Sequence, residues 1–96
     1  MKITFVKKIL ADGSACKKCA EVQQKMEAAN QLRFLTDIVV ADESNPESPG
    51  MLLASKHNIN RAPFFIVEEE NGETKVYTIY FKLVKEVLSK LSETAG

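Results

Sequence analysis

The chain is poor in the features that mark several classes of protein. Its 96 residues include no tryptophan, one histidine and two cysteines, and 13 basic residues balance 13 acidic ones. The lack of a basic excess argues against a nucleic-acid-binding surface. No apolar run is long enough to cross a membrane, and Lys7 and Lys8 interrupt the apolar N-terminus, which argues against a secretory signal. We therefore expect a cytoplasmic protein that binds neither nucleic acid nor membrane.

The chain does have enough apolar material for one ordinary core. Hydrophobic residues make up 45% of the sequence and charged residues 27%, which is usual for a globular protein. This length predicts one domain over residues 1–96, expected to be a monomer without a cofactor. In the cytoplasm structural disulfides are disfavoured, so two neighbouring cysteines are more often catalytic or metal-binding.

Apolar and β-rich runs, turn residues and helical spacing of apolar residues together predict the element order β-α-β-α-β-β-α. The predicted strands are residues 2–10, 32–42, 62–70 and 73–81, and the predicted helices follow the turn Ala11–Ala15, begin at Pro49 after Ser48 as N-cap, and run from about Lys82 to Leu91. The apolar run Ile38–Val40 indicates a buried parallel strand. The predicted fold is α/β, with a mixed four-stranded sheet flanked by helices on both faces.

The expected hairpin turns at Asn71-Gly72, the strongest short signal for a two-residue turn. Such a turn would place Glu68 opposite Lys75 and Val67 opposite Val76, which are favourable cross-strand pairs.

The first and the last predicted helix are each expected to bury one stripe of apolar side chains. Asp12 or Ser14 is the expected cap of the first helix. The predicted stripes are Cys19, Val22, Met26 and Ala29 in the first helix, and Leu83, Val84, Val87, Leu88 and Leu91 in the last.

The two cysteines lie three residues apart in DGSACKKCAEVQQKMEA, where a turn leads into the first helix. Cys16 is expected at the helix N-terminus, where unpaired N–H groups and the macrodipole favour an anion, and Lys17 and Lys18 add positive charge. These effects favour the thiolate at Cys16. Cys19 falls one turn deeper on the apolar stripe, where burial keeps it protonated. This asymmetry is what a disulfide-exchange couple needs.

Other interpretations of the pair stay open at this point. It is half of a zinc site only if further ligands exist, and His57 is the one additional soft ligand in the sequence. Two thiolates also suit copper(I). Two inert structural thiols are the third possibility.

The stretch CKKC, followed by NINRAPFFIV about 45 residues later, resembles the thioredoxin and glutaredoxin superfamily. The resemblance covers almost the whole chain and implies a thioredoxin-like thiol–disulfide oxidoreductase. It implies that Cys16 is the nucleophile and Cys19 the resolving thiol, without a metal. It also implies that Pro63 opens the third strand in a cis peptide and that the Ala62 backbone binds an extended substrate segment. The implied partners are a disulfide-bearing protein and a reductase or thiol donor.

The chain departs from that family at several positions. Lysines stand between the cysteines, and Lys7 stands near the place of the buried acid that thioredoxins carry on the first strand. The proton acceptor for Cys19 is therefore unidentified. The glycine pair that helps glutaredoxins hold glutathione is missing from YTIYFKLV, so we do not expect glutathione to bind in that manner.

The stretch VKKILADGSACKKCAEVQQKMEA also resembles a heavy-metal-associated domain, which would make the chain a copper(I) carrier. That family has a methionine two residues before its first cysteine, where Ser14 stands here. Its element order is β-α-β-β-α-β, whereas SPGMLLASKHN predicts a helix between the second and third strands.

Overall fold

Four strands form one mixed sheet in the spatial order β2-β1-β3-β4. The computed structural model describes the backbone of residues 1–95 and the side chains of residues 1–92. The strands are β1 (Lys2–Ile9), β2 (Asp37–Asp42), β3 (Phe64–Glu68) and β4 (Thr74–Tyr77). β1 runs parallel to β2 and antiparallel to β3, and β3 runs antiparallel to β4. The prediction of a mixed four-stranded sheet is confirmed.

The helices follow the predicted order. They are α1 (Lys17–Ala28), α2 (Pro49–Lys56) and a last helix, α3, whose successive segments are Tyr80–Leu83, a π-helical turn Val84–Leu88, and Ser89–Ala95. A 3₁₀ turn, Leu32–Phe34, precedes β2 where the sequence predicted strand. Within residues 1–95, no helix combines the length and apolar character needed to cross a membrane.

Alternating side chains of the central strands supply two separate cores. Phe5 and Phe65 point to one face and stack with their ring centroids 4.9 Å apart, and this face packs against α1 and α3. Val6 and Phe64, their neighbours in sequence, point to the other face and pack against α2. This period-two alternation lets both faces of the sheet bury apolar surface. Helices flank both faces, as the sequence predicted.

The buried stripes of α1 and α3 are largely those predicted. Cys19, Val22 and Met26 are buried in α1, but Ala29 is exposed because the helix ends at Ala28. In α3, Leu83, Val87 and Leu88 are buried and Val84 and Leu91 are half-buried.

Helix α2 lies directly against β2 because a glycine faces the strand. A Cβ atom on Gly50 would lie 2.3 Å from the Ala41 nitrogen, closer than two such atoms can approach. Ser48 precedes this helix as N-cap, but its hydroxyl makes no cap hydrogen bond. It accepts instead from the Asp42 N–H at 2.9 Å, which ties the helix start to the end of β2.

The position of β2 corrects one prediction. The strand is parallel to β1, as expected, but it forms an edge of the sheet, and Ile38 is 46% exposed. Val39 and Val40 are half-buried. The apolar run therefore does not correspond to a fully buried strand.

The β3–β4 hairpin corrects a second prediction, the register between its two strands. Glu68 pairs with Thr74 and Val67 with Lys75, one position away from the predicted register. The loop has three residues rather than two, because the Glu69 N–H donates to the Glu73 carbonyl and closes the ladder there. Gly72 takes a positive φ of 88°, as in three-residue hairpins with a bulge. β4 ends at Tyr77 and α3 begins at Tyr80, where the sequence predicted continuous strand to residue 81.

Candidate functional site

Cys16 is itself the N-cap of α1. Its backbone is extended, with φ −72° and ψ 117°, and its Sγ accepts a hydrogen bond from the Cys19 N–H at 3.2 Å. The predicted caps are engaged elsewhere, since Asp12 Oδ1 accepts from the backbone N–H of Ser14 at 2.9 Å and from its hydroxyl. A sulfur atom thus occupies the place where a serine or aspartate oxygen usually satisfies a free helix N–H.

A tight turn after β1 brings Cys16 to this place. The Gly13 N–H donates to the Leu10 carbonyl at 2.8 Å, and the Leu10 N–H donates to the Ser14 carbonyl at 2.9 Å. Gly13 has a φ of 86°, which a residue with a side chain adopts only under strain. Ile9 then forms an isolated antiparallel bridge with Ala15. The chain therefore folds back on the end of β1 one residue before Cys16.

Cys19 lies behind Cys16 and is buried, with 3% of its surface exposed. Its Sγ accepts a hydrogen bond from the Lys8 N–H at 3.4 Å. The last β1–β3 pair joins Val6 to Phe64. Because N–H groups two residues apart point to the same side of a strand, Lys8 directs its N–H to where β3 has not yet begun. The sulfur atom takes the place of a strand partner.

The two thiols have different environments. Burial raises the pKa of Cys19 to about 11, and the hydrogen bond and charge of Cys16 act in the same direction. The Lys8 backbone N–H and, to a lesser extent, the Lys8 charge act in the opposite direction. Cys16 is only half-buried, and both cysteines are free thiols. A thiol that stays protonated at neutral pH therefore lies beside a more accessible one.

Both thiols line a cavity of about 310 Å³ between the start of α1 and the ends of β1 and β2. The remaining lining residues are Lys7, Lys8, Ile9, Ala15, Ala20, Gln23 and Val40. Lys7 Nζ lies 3.5 Å from Gln23 Oε1. The cavity wall is therefore largely apolar, with an ammonium group held at one side by an amide.

The other residues predicted for the site lie on the first turn of α1 and at the start of β3. Lys17 and Lys18 are exposed on the first turn of α1. The Ala62–Pro63 peptide bond is cis. Pro63 is buried and directly precedes Phe64, the partner of Val6, so it stands beside the end of β1 that contacts Cys19.

His57 and the metal alternative gain no support from the geometry. His57 follows α2 as its C-cap, where its N–H donates to the Leu53 carbonyl, and it is not among the residues lining the thiol cavity. Across the part of the chain that the structure describes, no group of three or more His, Cys, Asp and Glu residues could hold a metal ion.

Sequence reasoning missed Lys8, Gln23 and Glu43. Gln23 follows Cys19 by four residues, so helical spacing would have placed it on the same face. Lys8 Nζ lies 3.6 Å from Glu43 Oε2. This pair depends on the register between β1 and β2, for which the sequence offers no local signal.

Comparisons with models of known protein families, with curated proteins and with solved structures find no match in any of the three.

Proposed function

We propose that this chain is a thioredoxin-like thiol–disulfide oxidoreductase in which Cys16 attacks a disulfide and Cys19 resolves the product. The observation that carries the proposal is the asymmetry of the pair. Cys16 is a half-buried helix N-cap whose Sγ receives the Cys19 N–H, and Cys19 is buried with its pKa raised to about 11. Helix N-termini favour an anion, so negative charge on the Cys16 sulfur is stabilised where a substrate can reach it.

The proposed reduction proceeds in two exchanges. The Cys16 thiolate attacks one sulfur of the substrate disulfide, forming a mixed disulfide and releasing the other sulfur as a thiolate that takes up a proton. Cys19 then loses its proton and attacks Cys16 Sγ. The mixed disulfide breaks, the second substrate sulfur leaves as a thiolate and is protonated, and a Cys16–Cys19 disulfide forms. The substrate gains two electrons, which an external thiol or dithiol must later return to the protein.

The neighbouring residues have supporting roles in this proposal. The exposed Lys17 and Lys18 add positive charge beside Cys16. Ala62 and Pro63 stand next to the same end of β1, where the Ala62 backbone would bind an extended segment of a protein substrate. No glycine pair follows the β3–β4 hairpin, so the proposed substrate is a protein disulfide rather than glutathione held in the glutaredoxin manner.

The copper(I)-carrier alternative has less support. The helix α2 separates β2 from β3, whereas the heavy-metal-associated domain has a hairpin directly after its first helix. The buried Cys19 is also a poor match for a loop that passes its metal to a partner, because a carrier exposes its ligands during transfer.

Alkylation of the reduced protein tests the proposed asymmetry. At about pH 7 a thiol with a pKa near 11 is ionised in only about one molecule in 10,000. Iodoacetamide followed by peptide mass spectrometry should therefore label Cys16 first. Faster labelling of Cys19 would contradict the assignment of roles.

Trapping with a matched pair of variants tests the chemistry. Cys19→Ser should attack an oxidised peptide disulfide and accumulate a mixed disulfide at Cys16, because no second thiol releases it. Cys16→Ser should accumulate none under the same conditions. Tight binding of copper(I) by both thiols, together with no trapping and no disulfide reduction, would favour the carrier instead.

A further inference from the structure

The cavity beside the two thiols also holds a lysine side chain. Lys7 lies two residues after Phe5 in β1, so its side chain points to the face of the sheet that α1 covers. Its Nζ lies 3.5 Å from Gln23 Oε1 on α1. Lys7 and Gln23 are half-buried and line the same cavity as Cys16 and Cys19. The ammonium group and both thiols therefore border one cavity.

Most of the remaining cavity wall is apolar. Val40 lies opposite Lys7 in the β1–β2 register, and Ala15 and Ala20 line the cavity from the start of α1. Ile38 points to the same side of β2 as Val40 and is 46% exposed, so α1 leaves this part of the edge strand uncovered. A volume of about 310 Å³ is at the small end of the range for sites that bind small molecules. The cavity thus suits a small ligand with an apolar body.

Lys7 has no acidic partner among the side chains that the structure describes. The lysines that form ion pairs there are Lys2, Lys8 and Lys75. The Gln23 oxygen is neutral and accepts from only one of the ammonium N–H groups. Because a charge-assisted hydrogen bond is stronger than one to an amide, the free N–H groups favour a carboxylate that a ligand brings.

The spacing of these groups sets the length of such a ligand. Cys16 and Gln23 are seven residues apart along α1, which corresponds to about 10 Å. A disulfide bond to Cys16 covers about 2 Å of this distance, and a hydrogen bond from Lys7 to a carboxylate covers about 2.8 Å. A chain of about three methylene groups spans the remainder.

We propose that the cavity binds small aliphatic disulfides that carry a carboxylate, with the carboxylate at Lys7 and one sulfur at Cys16. The proposal rests on the proposed function and adds a second substrate class to protein disulfides. The Cys16 thiolate attacks the nearer sulfur, and the other half of the ligand leaves as a thiolate that takes up a proton. Cys19 then loses its proton to solvent and attacks Cys16 Sγ, so that the second half leaves as a thiolate and is protonated. The ligand gains two electrons, and the Cys16–Cys19 disulfide forms.

Dithiodibutyrate and its neutral diamide test the preference for a carboxylate. The two probes have the same alkyl chains and differ in charge. The ratio of their second-order rates with the reduced protein cancels any change in the reactivity of Cys16. Lys7→Met should lower this ratio about fivefold, and Lys7→Arg should retain it. Gln23→Glu should also lower it, because the new carboxylate would pair with Lys7 in place of the ligand.

Lys2→Met is the matched control. It removes the same charge from the other end of β1, where Lys2 pairs with Asp37. The ratio of rates should not change in this variant. A general loss of structure in Lys7→Met would slow both probes, so an unchanged rate with the diamide separates a role in binding from one in folding. If Lys7→Met does not fold, Gln23→Glu gives the same measurement with the lysine kept.

An unreactive analogue reports binding without chemistry. Thiodibutyrate has a single sulfur and cannot exchange with a thiol. Its addition should shift the NMR signals of the Gln23 side-chain amide and the Val40 methyl groups until the cavity is saturated, since both side chains line it. Lys7→Met should weaken this binding about fivefold.

The outcomes separate this proposal from the function on which it rests. Equal ratios of rates in the wild type, Lys7→Met and Gln23→Glu would overturn the carboxylate site even if trapping at Cys16 succeeds. Binding of thiodibutyrate that depends on Lys7, without reduction of any disulfide, would support the carboxylate site while refuting the oxidoreductase. A Lys7-dependent preference for a peptide disulfide containing glutamate over its glutamine counterpart, with none for dithiodibutyrate, would overturn the small substrate in favour of an acidic protein segment.

Discussion

Cys19 should make the reduced protein lose stability as the solution becomes alkaline. Its pKa is about 11 in the folded protein, against an ordinary value of 9.0. Between about pH 9 and about pH 11, the Cys19 thiol is therefore protonated in the folded protein and ionised in the unfolded chain. A raised pKa contributes stability that is fully present below about pH 9 and is lost as the pH rises towards about 11. The difference between the two pKa values sets the size of this loss, which reaches about 3 kcal/mol at most.

A comparison with Cys19→Ala isolates this contribution. The free energy of unfolding of both proteins should be measured by denaturant, with reductant present, at several pH values between about pH 8 and about pH 11. The variant should be less stable than the wild type at about pH 8, because it loses buried sulfur contacts. That difference should shrink by about 2 kcal/mol by the alkaline end. Tyr77 and Tyr80 also have raised pKa values from burial, but they are common to both proteins and cancel. A difference that stays constant with pH would refute the reasoning.

Two further substitutions test contacts between elements of the fold. Gly50→Ala places a Cβ atom 2.3 Å from the Ala41 nitrogen and 2.4 Å from the Val40 carbonyl carbon, so it should cost about 3 kcal/mol and lower the melting temperature. An unchanged melting temperature would contradict the close contact between α2 and β2. Tyr80→Phe removes the hydroxyl that donates to the buried Oε1 of Gln31 and should cost about 1–2 kcal/mol in urea unfolding. A midpoint equal to that of the wild type would mean that this hydrogen bond adds no net stability.

The element order could be predicted because each signal is local. The β-forming, mostly apolar residues of β1 and the helical spacing of apolar residues in α1 and α3 depend only on neighbours along the chain. The strand order is not local, so the apolar run beginning at Ile38 gave no indication that β2 forms an edge. The hairpin register failed for a related reason. Asn71-Gly72 indicated a turn, but the Asn71 side chain accepts the Glu73 N–H at 2.9 Å and supports a longer loop.

The candidate site likewise combines features that follow from local sequence and features that depend on distant strands. The positions of Cys16 at a helix start and Cys19 on a buried stripe follow from the sequence near the pair. That Cys16 would be the N-cap itself was missed, because cysteine is not among the residues that usually cap helices. The contact from Lys8 to Cys19 requires knowing that β3 begins only opposite Val6. No sequence motif indicates where one strand begins relative to a partner strand that is distant along the chain.

In the proposed redox cycle, the capping role of Cys16 would couple the stability of the first turn of α1 to the midpoint potential of the thiol pair. The hydrogen bond from the Cys19 N–H forms with Cys16 as a free thiol, so it stabilises the reduced protein. An N-cap contact is worth about 1 kcal/mol. For a two-electron couple that loses the contact on oxidation, this raises the midpoint potential by about 20 mV. By the same thermodynamic cycle, oxidation in the proposed function would weaken the first turn of α1 by the free energy that the cap contributes. The stability of that one helical turn would then change with the oxidation state of the thiol pair.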